Sequence, residues 1–266
     1  MGDMSNLLHN ATVDTLLERR SIRKFKPKPL SDDIVETLET VAQHAASSQF
    51  LNDWSAIRIT DPAIKAKLAE FGHQPYIATA PLLYVFVIDE HRNARIAERK
   101  GIDPASDEFH LKYSYRFTQA QNDAVLALHA METAAYSLGR GCVILGSLLN
   151  NIPGLIDVLN LPEYTYPVLG LAIGKPDQNP TVKPRMPRTM QFFENTYPAD
   201  ADTRPAARLR RGSSPVLRSA PSRPSGGRFQ RSGRHDQSAG CQPSDTARQG
   251  RRSGLPSGSV RPEPTR

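Results

Sequence analysis

The sequence predicts a domain that mixes helices with buried strands, followed by a tail of different character. Three observations carry this. Residues 81–89 form a nearly continuous apolar run, the pattern of a strand covered on both faces. Residues 114–138 place Ala120, Ala124, Leu128, Met131, Ala135 and Leu138 at helical spacing, with Gly139 as a left-handed stop. From about residue 199 the composition turns to Arg, Ser, Pro, Gly and Gln with almost no apolar period.

The body divides into elements in order. Residues 12–19 read as a short helix with Thr12 as its cap. Pro27 and Pro29 then enforce an extended passage. Ser31 caps the next helix, with Asp32 and Asp33 in its first turn and Ile34, Leu38, Val41 and Ala45 on one face. That helix ends at the polar break 46–49. Residues 54–59 alternate as a strand, and Asp61-Pro62 opens a helix through Phe71. Residues 74–76 connect to the apolar run at 81–89. A charged helix over 90–100 and a loop over 101–112 precede the long helix. Its alanines permit close packing, either in the core or against a second subunit. Residues 142–150 are apolar and lead to Asn150-Asn151. Pro153 opens a short helix through Leu159, and residues 166–173 read as a buried strand closed by Gly174. A Pro-rich loop then carries Lys183-Pro184-Arg185.

Composition bounds the function. With 266 residues and 38% hydrophobic content, the chain can bury ~70% of its surface in one sizeable domain. The net charge of +7 is unevenly spread. Residues 1–200 hold 20 Lys and Arg against 23 Asp and Glu, a net −3, and residues 201–266 carry +10. Such a tail cannot offset its chain entropy, so its composition predicts disorder. It is either a genuine extension or the product of a shifted reading frame, since high-GC coding sequence read out of frame has this composition. It lacks the aromatic interleaving that stacks on bases, which argues against nucleic-acid binding. No signal-peptide core and no apolar run of ~18 residues stand out, so the body reads as soluble and cytoplasmic, away from membranes. The two cysteines, Cys142 and Cys241, form neither a disulfide framework nor a metal pattern. Cys142 reads as a small buried side chain, and His44 and His129 as satisfied histidines.

Gly139-Arg140-Gly141 with Gly146 lacks dinucleotide-loop spacing, and Gly170 to Lys175 fails as a phosphate loop because Pro176 follows. No Ser-His-Asp set or carboxylate pair stands out. A chain without an acid–base set suits chemistry carried by a cofactor, which the protein need only bind and orient. Four polar stations could do so. Arg19, Arg20, Ser21 and Arg23 gather donors that suit a phosphate, although taken alone the segment reads first as a solvated helix end. Ser47 and Ser48 with Asn52 form the second, Gln74 the third, and Lys183 with Arg185 the fourth.

The segments RRSIRKFKPKPLSDD, AASSQFLNDWSAIRITD, QPYIATAPLLYVFVID, QNDAVLALHAMETAAYSLGRGCVILGSLLN, LPEYTYPVLGLAIGKPDQNP and KPRMP resemble, in this order, the nitroreductase superfamily. They are closest to its NADPH-dependent, oxygen-insensitive nitroreductases and flavin reductases. The resemblance covers residues 8–198 and implies a domain over 1–198, with 199–266 as the tail. It implies an α+β fold, with a mixed, mainly antiparallel sheet flanked by helices, in an obligate homodimer with FMN at the interface. It implies an enzyme that passes hydride from NADPH through flavin N5 to a small-molecule acceptor (a nitroaromatic, quinone or free flavin) in a ping-pong cycle. By position, Arg19, Arg20, Ser21 and Arg23 match the phosphate segment, and Lys183 and Arg185 the second phosphate-side pair. Ser47 and Ser48 match the flavin-contacting turn, Gln74 a flavin-side glutamine, and Leu145, Gly146 and Ser147 a backbone segment beside the ring. Asn52 stands where Gln is frequent, which shortens a flavin contact, and Ser147 where a second Gly is frequent, which narrows the ring's approach. The ordered arm that follows in the family has no counterpart in residues 199–266. A second reading is therefore a flavin-binding but catalytically impaired protein with an aberrant C-terminus.

Overall fold

The computed structural model describes residues 7–200. The tail reading thus lies, beyond its first two residues, outside the described residues. The helices are α1 (Ala11–Leu17), α2 (Asp32–Gln43), α3 (Pro62–Gly72), α4 (Glu90–Arg99), α5 (Ser114–Ser137) and α6 (Ile152–Val158). The strands are β1 (Trp54–Arg58), β2 (Leu82–Asp89), β3 (Gly141–Leu145) and β4 (Thr165–Gly174). They form one sheet of order β1-β2-β4-β3 in which every neighbouring pair is antiparallel. The expected mixed character shrinks to a single parallel bridge, Ser21 to Cys142.

The apolar run of β2 is covered on both faces. Strand alternation sends Leu82, Tyr84 and Phe86 to one side, where they meet Val35, Leu38 and Ala42 of α2 and Leu128 and Met131 of α5. Leu83, Val85 and Val87 point the other way, against Leu68 of α3, Ile77, Leu148 and Leu155. The sheet is therefore a middle layer between two helical layers. The alanines of α5 serve the core: Ala120, Ala124, Ala127 and Ala135 are fully buried. Its C-terminus closes as the sequence predicts. Gly139 adopts φ +67, its N–H donates to Tyr136 O at 2.9 Å, and the Arg140 N–H donates to Ala135 O at 2.8 Å, the paired bonds of a glycine stop.

Several boundaries differ from expectation. Asn10, not Thr12, caps α1, its side chain accepting from the Val13 N–H at 2.9 Å; the two-residue shift of the cap puts Thr12 inside the first turn. Ser31 stands at the cap of α2 without a side-chain capping bond. The apolar stretch after Gly139 divides into β3 and a 3-10 turn, Gly146–Asn151. Cys142 is buried, and His44 bonds to Thr40 O at 2.8 Å.

The segment after α1 lies extended along the sheet. The Ile22 N–H donates to Cys142 O at 2.8 Å, and Phe25 bridges to Pro176. Ile22 is buried over Gly141, where a Cβ would fall 2.6 Å from Ile22 Cγ1 and 2.8 Å from its Cβ. Gly141 is thus required by close approach. Gly141→Ala is expected to lower stability by roughly 1–3 kcal/mol through overpacking, read as a shift of the urea midpoint at unchanged slope.

Candidate functional site

The basic segment separates its four residues. Arg19 turns onto α5, where Nη2 and Nε lie 2.7 and 2.9 Å from Glu132 Oε1. The Glu132 side chain is 1% exposed, so this cation satisfies a buried carboxylate. Burial alone would lower the Arg19 pKa, but the hydrogen bond and charge of Glu132 hold it above its ordinary value. Arg20 and Ile22 face a cavity between α1, β3 and the loop after β4, as alternation along an extended chain requires. The Tyr136 hydroxyl fixes the backbone there, 2.6 Å from Arg20 O and 3.0 Å from Cys142 O.

Ser21 and Arg23 fall on the remaining side. Arg23 is exposed, makes no ion pair among the described residues, and lies beside the Tyr76 phenol. Burial holds that phenol above its ordinary value against the pull of Arg23. The Tyr76 hydroxyl donates to Gln74 Oε1. Two of the four stations thus meet through a tyrosine that sequence reasoning missed. Gln74 is delivered by the end of α3, where His73 takes the left-handed conformation at φ 50 and the Gln74 N–H donates to Ala69 O at 3.0 Å. The same helix end approaches the 145–147 segment, since a Cβ on Gly72 would lie 3.1 Å from Ser147 Oγ. Leu145 is buried, Gly146 exposed, and the Ser147 hydroxyl buried without a partner. That hydroxyl lies close to Gly72.

The 47–52 turn is built separately. Gln49, Phe50 and Asn52 all have positive φ, at 53, 57 and 49, each costing on the order of 1 kcal/mol. Buried anchors hold the turn. The Ser48 N–H donates to both oxygens of Asp123 at 3.1 Å, and the Asn52 N–H donates to Ser47 Oγ at 2.8 Å. Arg92 donates to the carbonyls of Asn52 and Trp54. The Asn52 amide bonds Phe50 O within its own turn at 3.0 Å and lines a cavity with Trp54, Tyr84 and Glu39. Asp123 and Glu132 are nine residues apart on α5, hence roughly 13.5 Å along the axis and about half a turn around it. Within one chain, then, the Ser47/Ser48 station and the Arg19 station occupy different places. Lys183 and Arg185 are exposed and make no ion pair among the described residues; Arg185 Nη1 donates to Lys183 O at 2.9 Å. Their loop leaves the sheet beside the basic segment, where Lys24 pairs with Asp177 at 2.9 Å and the Lys26 N–H donates to Lys175 O at 2.9 Å.

Comparison with known proteins decides the family. The nitroreductase family profile matches residues 16–175. The chain belongs to the nitroreductase family. It is 38% identical over 192 residues to an NADPH-dependent oxidoreductase of Staphylococcus aureus strain USA300, covering 70% of this chain and 74% of that one. Among solved structures, nitroreductase A from Vibrio parahaemolyticus matches at 32% identity and a TM-score of 0.70, over 77% of this chain and 84% of that one. The NADPH:FMN oxidoreductase from Vibrio harveyi, complexed with NAD+, matches at 31% identity and a TM-score of 0.70, over 76% and 84%.

This member of the nitroreductase family also buries an acid cluster behind its 47–52 turn. Asp53 is fully buried and neither carboxylate oxygen has a hydrogen-bond partner. Facing it are Asp123 of α5 and Glu90 of α4, and Arg116 of α5 acts on Glu90. Burial first, then the neighbouring Asp123 and Glu90, push the Asp53 carboxyl up to about 7; burial raises Glu90 as well. Folding therefore favours protonated Asp53. Its contribution to stability is complete below the unfolded value of about 4 and is lost as pH rises toward 7. Asp53→Asn is expected to flatten thermal stability across that window and to raise Tm at pH 8 while leaving it nearly unchanged at pH 4. The arginines separate by a second measurement. Arg19→Leu strands the buried Glu132 carboxylate and should cost roughly 3 kcal/mol or more, whereas Arg23→Leu should stay within about 0.5 kcal/mol in chemical denaturation.

Proposed function

We propose that this chain, an NADPH-dependent oxidoreductase of the nitroreductase family, binds FMN with its phosphate on Ser21 and Arg23. The observation that carries the reading is Arg23, a cation without a carboxylate partner among the described residues, set beside the Tyr76–Gln74 pair. The donor set fits an FMN phosphate: a guanidinium, a hydroxyl, and two more exposed cations, Lys183 and Arg185, on a loop that leaves from the same place. The exposed Gly146 backbone and the Gln74 amide fit the polar edge of a flavin ring. When bound, FMN supplies a two-electron carrier that takes hydride from NADPH and returns it to an acceptor. The residues of this chain hold and orient, and Tyr76 aligns Gln74 through its hydroxyl. Arg19 serves by anchoring the segment to α5.

The reading extends to a homodimer. Ser47 and Ser48 are fastened by Asp123, away from the Arg19 end of α5, so a second copy would bring them to the ring. Exposed Tyr115 and Leu126 on α5 and Leu16 and Leu17 on α1 supply apolar surface for that contact. Cofactor binding and association would then be linked by mass action. Nitroaromatics, quinones and free flavin are the proposed acceptors, each using in turn the face the nicotinamide has left. The setting is the cytoplasm; among the described residues no helix is long and apolar enough to cross a membrane. Residues 199–266 are read by composition alone as the basic tail.

The test is an absorbance spectrum of the purified protein, followed by anaerobic titration with NADPH. A flavin spectrum that bleaches with NADPH is expected; protein that remains colourless after incubation with FMN overturns the reading. Arg23→Ala should weaken FMN by one to two decades, the ~1.5–3 kcal/mol of a charge-assisted contact, with melting of the apoprotein unchanged.

A further inference from the structure

We infer that the cavity faced by Arg20 is a second anion site, separate from the flavin phosphate site and built to take a phosphate group. The cavity holds about 420 Å3 and is lined by Arg20, Arg140, Tyr136, Gln178 and Asn179, with Glu18 as the one carboxylate of its lining. Arg20 and Arg140 come from opposite sides, the first from the segment after α1 and the second from the turn between α5 and β3. Neither makes an ion pair among the described residues, and the Nε of Arg140 is buried without a hydrogen-bond partner.

Two guanidiniums share this concavity with a single lining carboxylate, and Asp33 acts on Arg140 only through space; the buried Arg140 Nε keeps an unmet donor out of water, which an anion would satisfy. Planar forks on two sides suit the several oxygens of a phosphate better than a single carboxylate. Gln178 and Asn179 add amide donors. Tyr136 holds the Arg20 backbone in place, so Arg20 cannot swing to the Ser21 side without breaking that bond. The two sides of one extended segment would then each hold an anion, and binding at one could bias the other through the shared backbone.

The experiment is isothermal titration of the purified full-length chain with inorganic phosphate and with glucose 6-phosphate, at constant ionic strength. Arg140→Gln, Arg20→Gln and Arg23→Ala are compared with the unaltered chain. Neither Arg20 nor Arg140 has a side-chain partner to lose among the described residues, and far-UV circular dichroism checks that each variant is folded. Affinity lowered about tenfold to a hundredfold in Arg140→Gln and in Arg20→Gln, but kept in Arg23→Ala, supports the site. Tighter binding of the ester then names an organic phosphate as occupant, and equal binding names the free ion. Phosphate binding that survives in both Arg140→Gln and Arg20→Gln, that falls equally in Arg23→Ala, or that is absent from the unaltered chain overturns the proposal.

Discussion

A carboxylate cannot be taken out of water alone, and α5 buries two of them. Asp123 and Glu132 sit at opposite edges of the helix's buried face, 2% and 1% exposed. Each is satisfied by a different loop. Glu132 takes the guanidinium of Arg19, which lays the basic segment along β3. Asp123 takes the amide of Ser48, which closes a turn of three left-handed L-residues. The central helix therefore does more than fill the core: its two charges decide where the polar loops of the site are fastened.

Adjacent positions in the basic segment acquire different tasks from this fastening. Arg19 is consumed by the fold, Arg20 faces a cavity of its own, and Arg23 stands free beside Tyr76. Composition treats them as one cluster of cations. An extended backbone divides them, because each step along the chain reverses the direction of the side chain.

Much of the architecture was legible because it rests on period and punctuation. The run at β2, the alanine stripe of α5 and the Gly139 stop each produce the element they predict, and the order of the quoted segments led to the family. The strand at 141–145 was not separable from its neighbours, since a short apolar run carries no period of its own. Within the site, the residues that proved decisive were partners rather than contacts. Tyr76 looked like part of a connector, and Asp123 and Glu132 drew no reading of their own. Their angular position at the two margins of the apolar arc of α5 was the available signal. Asp53 had none, because nothing local marks a carboxylate that will be enclosed by two others.

The 47–52 turn has a consequence for the order of folding. Its left-handed residues give it no intrinsic preference for the shape it takes. The bond that holds it spans 75 residues of chain, and the Arg19–Glu132 bond spans 113. Contacts of such separation form only after the intervening chain has collapsed and α5 has docked. The loops that would grip a ligand are therefore held by long-range bonds, and a chain whose core is incomplete lacks the anchors that shape its binding surface.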